Sequence, residues 1–361
     1  MQSIDVDLEG RSYAVHVGTG ILPQLGAKLN GLGAMGAVAV VTAPPVWAHH
    51  GSRLDAILRG SGIYAKIIEV PDGEKAKSLE VYSNVVDDLL ASGADRSSVV
   101  VSFGGGCVGD LAGFVAATYM RGIRLVHVPT TLLAQVDASI GGKTAINHPR
   151  AKNLVGVFHQ PSFVLSDMDL LKTLPVREIG CGVAELIKYG AVLDCGLLDL
   201  LEGEMPALLR LEAASLERAV TSAVKLKAEM VSRDELDRGT RMLLNFGHTV
   251  GHAIEAATSH GCSHGEAVAL GMVAEARLSK CVGLLSEEDE KRLRHIIAAY
   301  GLPIGASGIP LEAVISLMEN DKKATAGALR FALPRRLGEG TLVTAPPMDV
   351  VRSSVKEVVG N

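Results

Sequence analysis

Between positions 241 and 266 stand the side chains best suited to holding a metal or moving a proton: Asn245, His248, His252 and His264. The run from 240 to 257 reads as one helix, on which Asn245, His248 and His252 share a face because residues three or four apart are neighbours on the cylinder. Ser259-His260-Gly261-Cys262-Ser263 breaks that pattern and His264-Gly265-Glu266 opens another apolar helix. The chain is therefore expected to fold back and carry His264 towards His248. A catalytic zinc takes three protein ligands from the histidine and carboxylate set and keeps one position open, so two imidazoles need a third donor. Upstream, Glu185 is the best candidate, on the same side of an apolar helical segment as Lys188. An intrahelical ion pair explains Glu185 and Lys188 equally well, and a histidine on an apolar helix is more often a core residue than a ligand. Several polar groups aimed from apolar helices nevertheless favour a metal site, because each costs free energy to bury without a partner. Cys181 and Cys262 lie near the proposed ligands and leave a mixed Cys/His set open.

A second group of residues suits an anion. Val99-Val100-Val101-Ser102-Phe103 runs directly into Gly104-Gly105-Gly106-Cys107-Val108-Gly109-Asp110 and then into a helical stretch. A glycine turn after a strand lets backbone amides approach a phosphate, which the positive helix start helps to hold. The Gly104, Gly106, Gly109 spacing matches the dinucleotide fingerprint, yet it lies well inside the domain, and a tight structural turn fits it too. Asp110 either complements the helix dipole or meets the ligand. Asp72-Gly73-Glu74-Lys75-Ala76-Lys77 opens a helix with mixed charge, which in isolation is a solvated first turn. Thr130 and Thr131 follow a strand, where hydroxyls can meet a cofactor in doubly wound folds. Asp137, Gly141-Gly142-Lys143-Thr144 and Lys152-Asn153 add a carboxylate, a turn and two cations; the earlier glycine that a Walker loop needs is absent, Asp137 lying at that spacing.

These groups need two kinds of scaffold. Short β-rich runs at 13–17, 37–41, 65–70, 99–103, 125–128 and 163–165 alternate with helical patterns, which predicts a mostly parallel, Rossmann-like sheet covered by helices over residues 1–174. Beyond 174 strand signals nearly vanish, and helical stretches near 176–190, 207–232, 240–257, 265–282 and 287–300 predict an α-helical domain over 175–361, with a cleft between the two. Thr173-Leu174-Pro175 marks the seam, since proline disfavours helix in the residue before it. The 361 residues are 48% hydrophobic, enough for two cores. A net charge of −5 and a pI near 6.1 argue against a general nucleic-acid surface. Asp5, Asp7 and Glu9 replace the basic start of a leader, no apolar run spans a bilayer, and five scattered cysteines fit reduced thiols, so a cytoplasmic protein is expected.

Taken together, the strings 72–80, 104–119, 121–124, 128–147, 152–156, 184–190, 241–255 and 264–269 resemble the 3-dehydroquinate synthase family of the sugar phosphate cyclase superfamily. The resemblance implies an α/β fold with an NAD-binding first domain, a helical metal-binding second domain, and a homodimer with an active site in each interdomain cleft. It puts a divalent metal, zinc most often and cobalt as an alternative, on Glu185, His248 and His264. NAD contacts fall on Asp72, Gly73, Glu74, Lys75, Lys77, Gly105, Gly106, Asp110, Thr130, Thr131, Lys143, Lys152 and Thr173. Substrate contacts fall on Asp137, Lys143, Asn153, Lys188, Lys227, Arg241, Asn245, His252 and one or both of Lys322 and Lys323, with Arg121 reaching a neighbouring subunit's substrate phosphate. The implied reaction converts 3-deoxy-D-arabino-heptulosonate 7-phosphate into 3-dehydroquinate and phosphate, using NAD as a catalyst rather than a net oxidant. No nucleic-acid or membrane partner is expected.

Some positions depart from the family pattern. Val41-Thr42-Ala43-Pro44-Pro45 offers no carboxylate to the cofactor ribose, Asp237 stands where glutamate is common, and Ala138 replaces a common serine. Three other readings share parts of this set: a cyclase acting on sedoheptulose 7-phosphate or glucose 6-phosphate, a net NAD-dependent polyol dehydrogenase, and a non-catalytic nucleotide-binding protein. The retained Lys227, Arg241, Asn245 and His252 favour the carboxylate-bearing heptulosonate.

Overall fold

The computed structural model describes residues 1–33, 36–258, 261–324 and 329–360, apart from the side chains of 320–324. Two compact units emerge, 1–175 with 216–236, and 176–215 with 237–361. The first break falls after Pro175, and Leu216–Leu236 groups with the first unit. Side-chain pairs such as Lys227–Asp137 tie that segment to the first unit. Such long-range pairings are invisible to local patterning.

In the first unit the strands are β1 (Gln2–Val6), β2 (Tyr13–Gly18), β3 (Val38–Thr42), β4 (Lys66–Glu69), β5 (Val99–Gly104), β6 (Arg124–Pro129), β7 (Lys143–His148), β8 (Ala151–Phe158) and β9 (Phe163–Asp167). Seven of them form one sheet in the order β1-β2-β9-β6-β5-β3-β4, parallel throughout except for β1 against β2. Strands β3 and β5 are buried along their whole length because both faces of the sheet are covered. Successive side chains point to opposite faces. Accordingly Val99, Val101 and Phe103 pack with Leu22, Leu25 and Leu54, while Val100 joins Ala39, Val41 and Leu125 against Leu111, Ala112 and Val115 of helix α1 (Gly106–Thr118). All six expected strand runs are present. The hairpin β7–β8 was not anticipated; β8 is exposed almost throughout, its Leu154, Val155 and Val157 included.

The sheet positions the glycine turn. Gly104 pairs with Pro129 in the β5–β6 ladder, so the glycine turn and Thr130-Thr131 leave the sheet side by side at its carboxyl edge, where open α/β sheets bind ligands. Just below, Ser102 Oγ lies 2.6 Å from Nδ1 of the buried His127. Burial, aided by His159, lowers the His127 pKa to about 4. The native state then excludes a proton that the unfolded chain takes up below its ordinary value of 6.5, so stability falls as pH drops from 6.5 towards 4. The expected loss between pH 7 and pH 5 is about 2 kcal/mol, read from urea midpoints, and His127→Gln should flatten it.

The second unit is mainly helical, with α2 (Val176–Val192) and the pair that follows it. Helix α3 (Ala213–Arg233) spans the switch between units, and α4 (His248–Ala257) and α5 (His264–Cys281) complete the elements used below. Beyond 174 the chain also forms the antiparallel hairpin β10 (Arg330–Arg336) and β11 (Glu339–Thr344), which the near absence of strand signal did not foretell. A larger correction concerns 240–257. It is not one helix: a 3-10 turn, Thr240–Asn245, is followed by Phe246 and a left-handed Gly247 (φ 79°) before α4 begins. A Cβ at Gly247 would lie 2.5 Å from Met272 Cγ and 2.8 Å from the Val268 carbonyl oxygen, so close packing on α5 demands glycine there. Asn245 therefore does not share a helical face with His248 and His252.

Candidate functional site

Helix α2 is apolar nearly all round, and every residue from Cys181 to Val192 is buried. That burial isolates Glu185, whose side chain is 0% exposed. Neither carboxylate oxygen has a hydrogen bond of ordinary geometry. Instead Oε2 pairs with the Lys188 ammonium, and Oε1 faces Nε2 of His248 and Nε2 of His264, each at 3.5 Å. One donor atom from each of Glu185, His248 and His264 lies within 4.8 Å of the other two, and this is the metal-competent cluster found among the described residues. Glu185 thus makes the ion pair with Lys188, and its carboxylate also faces two imidazoles.

The surroundings orient these donors. Nδ1 of His248 lies 3.2 Å from the Phe246 carbonyl oxygen, which favours a proton on Nδ1 and leaves Nε2 as the donor. Nδ1 of His264 faces Glu255 Oε2 at 3.5 Å, a carboxylate–histidine arrangement of the kind that steadies metal ligands. Burial opposes charge on Glu185, but Lys188 first and then the imidazoles hold its carboxyl well below the usual range. Burial and Lys188 push His248 well below its ordinary value. His264 loses charge stability to burial, yet Glu185 and Glu255 outweigh that and raise it to about 9. A cation among these donors takes the place of that proton, because a ligating imidazole is neutral. Two histidines and one carboxylate, one lacking conventional hydrogen-bond partners, fit a divalent cation with an open position.

His252 is exposed one turn along α4, its ring centroid 5.2 Å from that of His248 and 6.2 Å from that of His264. Arg241 is buried at 2% exposure, and Asn245 is exposed. Lys188 is buried with its Nζ 4.8 Å from the Tyr189 ring centroid. The side chains of Lys322 and Lys323 lie outside the described residues. Asp237 has left-handed backbone (φ 55°).

In the first unit the glycine turn forms a cradle without side chains. A Cβ on Gly105 would lie 3.0 Å from Thr131 Cγ2, and one on Gly106 would lie 3.2 Å from Ala138 Cβ. Gly105 is also the N-cap of α1, so free amides of its first turn surround the same space. This close approach fits a dinucleotide. Beneath it Lys77, 3% exposed, bonds Asp110 Oδ2 at 2.5 Å and also Asn153 Oδ1. Burial pushes the Asp110 carboxyl up, and the Lys77 charge opposes that. Glu74 accepts from Asn147 Nδ2 at 2.6 Å, and the Asn153 amide donates to Asn147 Oδ1 at 2.9 Å. Glu74, Lys77, Asp110 and Asn153 thus form one polar network.

Lys227 pairs with the Asp137 carboxylate and donates to the Asp137 carbonyl oxygen at 2.6 Å. Thr130 is buried beside the turn, and the Thr173 hydroxyl lies 2.8 Å from Nε2 of His50. Asp72, Gly73, Lys75, Lys143 and Lys152 are exposed. Arg121 stands apart on a turn in which Met120, Arg121 and Gly122 all have positive φ (50°, 71° and 122°), a costly run of backbone that holds this side chain outwards. The helix after Ala43 has no acid in its first turn, as the Val41–Pro45 string implied. Sequence reasoning missed Glu255 as a partner of His264. Its position on the helix of His248 and His252 was the available signal.

Known proteins resemble this chain along nearly its whole length. The family description "3-dehydroquinate synthase N-terminal" matches residues 67–181, and "3-dehydroquinate synthase C-terminal" matches 182–324. The 3-dehydroquinate synthase of Caulobacter vibrioides is 46% identical over 99% of this chain and 97% of its own, and that of Pelotomaculum thermopropionicum is 45% identical over 95% and 93%. Among solved structures, 2-epi-5-epi-valiolone synthase from Streptomyces hygroscopicus with NAD+ and Zn2+ bound superposes with a TM-score of 0.89 at 29% identity, covering 98% of each chain. A 2-deoxy-scyllo-inosose synthase shares the fold with a TM-score of 0.90 at 24% identity, over 99% of this chain and 100% of its own. By sequence along nearly its whole length, this chain belongs to the 3-dehydroquinate synthase family.

Proposed function

We propose that this chain converts 3-deoxy-D-arabino-heptulosonate 7-phosphate into 3-dehydroquinate and phosphate, with NAD and a divalent cation, Zn2+ or in its place Co2+. The observation that carries the reading is the convergence of Glu185, His248 and His264 in a chain so similar to 3-dehydroquinate synthases. The valiolone synthase, solved with NAD+ and Zn2+, supports the cofactor pair. A cation held by that triad supplies Lewis acidity to substrate hydroxyls. NAD held at Gly105, Gly106 and the Lys77–Asp110 network supplies a transient hydride acceptor, so the net reaction is redox-neutral.

The chain's own groups do the rest. His252, beside the triad but not one of its donors, takes a hydroxyl proton on a ring nitrogen and returns it later. Lys188 and Arg241 are buried cations suited to the carboxylate and phosphate, because charged donors bind such anions strongly. Asn245 adds a polar contact. Lys227 holds the Asp137 carboxylate in place, and Lys143, Lys152 and Asn153 present further polar groups from the hairpin β7–β8. A substrate gripped at both anionic ends reacts with little orientational loss. Arg121, held on its left-handed turn, would reach the phosphate bound by a second subunit of a homodimer. Five free cysteines suit a reducing cytoplasm, and no helix of the described residues is long and apolar enough to cross a membrane.

The test supplies the heptulosonate phosphate with NAD and Zn2+ and follows inorganic phosphate and dehydroquinate together. They should appear one to one, without accumulating NADH. Preference for sedoheptulose 7-phosphate or glucose 6-phosphate, or steady NADH formation, would overturn the reading.

A further inference from the structure

The pair α4 and α5 runs antiparallel, since Gly247 meets Met272, Gly251 meets Ala267 and Glu255 faces His264. The backbones approach so closely that a Cβ on Gly271 would lie 1.9 Å from the Gly247 carbonyl oxygen, and one on Gly251 would lie 2.9 Å from that of Ala267. At the start of α4 the first amides have no acceptor within the helix. Gly247, the N-cap, has no side chain to supply one. A neighbouring helix supplies it instead. Glu275 of α5 accepts from the Gly247 amide at 2.7 Å on Oε2 and from the Val250 amide at 3.0 Å on Oε1, with its side chain 0% exposed. On α5, Glu275 and His264 are three turns apart, at about 3.6 residues per turn, and so lie on the same face. One helix therefore carries a triad donor at its start and, further along, the anchor for the helix of another.

We infer that Glu275 is a positioning residue for the cation centre: its carboxylate clamps the start of α4 to α5 and thereby sets His248 against His264 and Glu185. A buried carboxyl group of this kind costs free energy to desolvate, and each of its two oxygens accepts from one amide at the start of α4. The inference rests on the cation reading above, and the experiment separates the two.

Co2+ binding is measured on the full chain by titration and by its ligand-field absorption, for the wild type, Glu275→Gln and Glu275→Ala. Glutamine keeps the volume but offers one acceptor and turns a donor towards an amide, so it carries the test if the alanine variant does not fold. Folded variants are expected to bind Co2+ about 10- to 100-fold more weakly, with displaced absorption bands and unchanged NAD affinity. A folded Glu275→Gln protein with wild-type Co2+ affinity and spectrum overturns the positioning role alone. A wild-type chain that takes up no Co2+ overturns the cation reading and this inference with it.

Discussion

Glu185→Gln should lower turnover of the heptulosonate phosphate roughly 1000-fold, because removing a ligand forfeits several kcal/mol of Lewis-acid stabilisation and each 1.4 kcal/mol is tenfold in rate. The side chain is 0% exposed and is the sole anion of the triad. An amide of the same shape would leave the Lys188 ammonium and two imidazoles around a divalent cation with no anion among the three donors. Elemental analysis should therefore find far less bound Zn2+ in the purified variant, alongside the loss of phosphate release. Wild-type zinc content with wild-type turnover would show that the carboxylate is only half of an ion pair. His264→Ala should behave similarly, whereas His252→Ala should lose turnover and keep its zinc, since His252 lies outside the triad.

Lys188→Met should destabilise the chelator-treated protein by about 3–5 kcal/mol, the usual cost of leaving one partner of a buried ion pair uncompensated. Lys188 is the largest favourable influence on the Glu185 charge, and both side chains are almost wholly buried. Methionine fills the aliphatic volume but supplies no cation. For a unit of this size the shift in thermal midpoint is roughly 6–20 °C. Added Zn2+ should recover much of that loss, because the cation then provides the positive charge beside Glu185. Equal destabilisation with and without Zn2+, followed by calorimetry, would mean that the two cations do not share this carboxylate.

Much of this architecture was legible in the chain. Strand runs such as Val99-Val100-Val101 are continuous and β-branched because both faces of the sheet are covered, and such runs stand out from the helical stretches around them. The pair β7–β8 escaped this reading: β8 keeps apolar residues such as Leu154 and Val157 exposed, outside the covered sheet. Helical periodicity predicted α2, α4 and α5, yet it carried one helix through Gly247, where close packing on Met272 and Val268 imposes a left-handed residue instead.

By itself the sequence determined the donor types, their local spacing and the two patterns of burial, since periodicity and glycine placement are properties of short segments. Only the tertiary structure decided that Glu185, His248 and His264 meet, that Glu255 and Glu275 support them, and that Lys227 pairs with Asp137. Those contacts join positions distant along the chain and depend on how closely two backbones approach. That distance is set by packing of whole helices, and a local window shows at most the glycines that permit it, not the partner they meet.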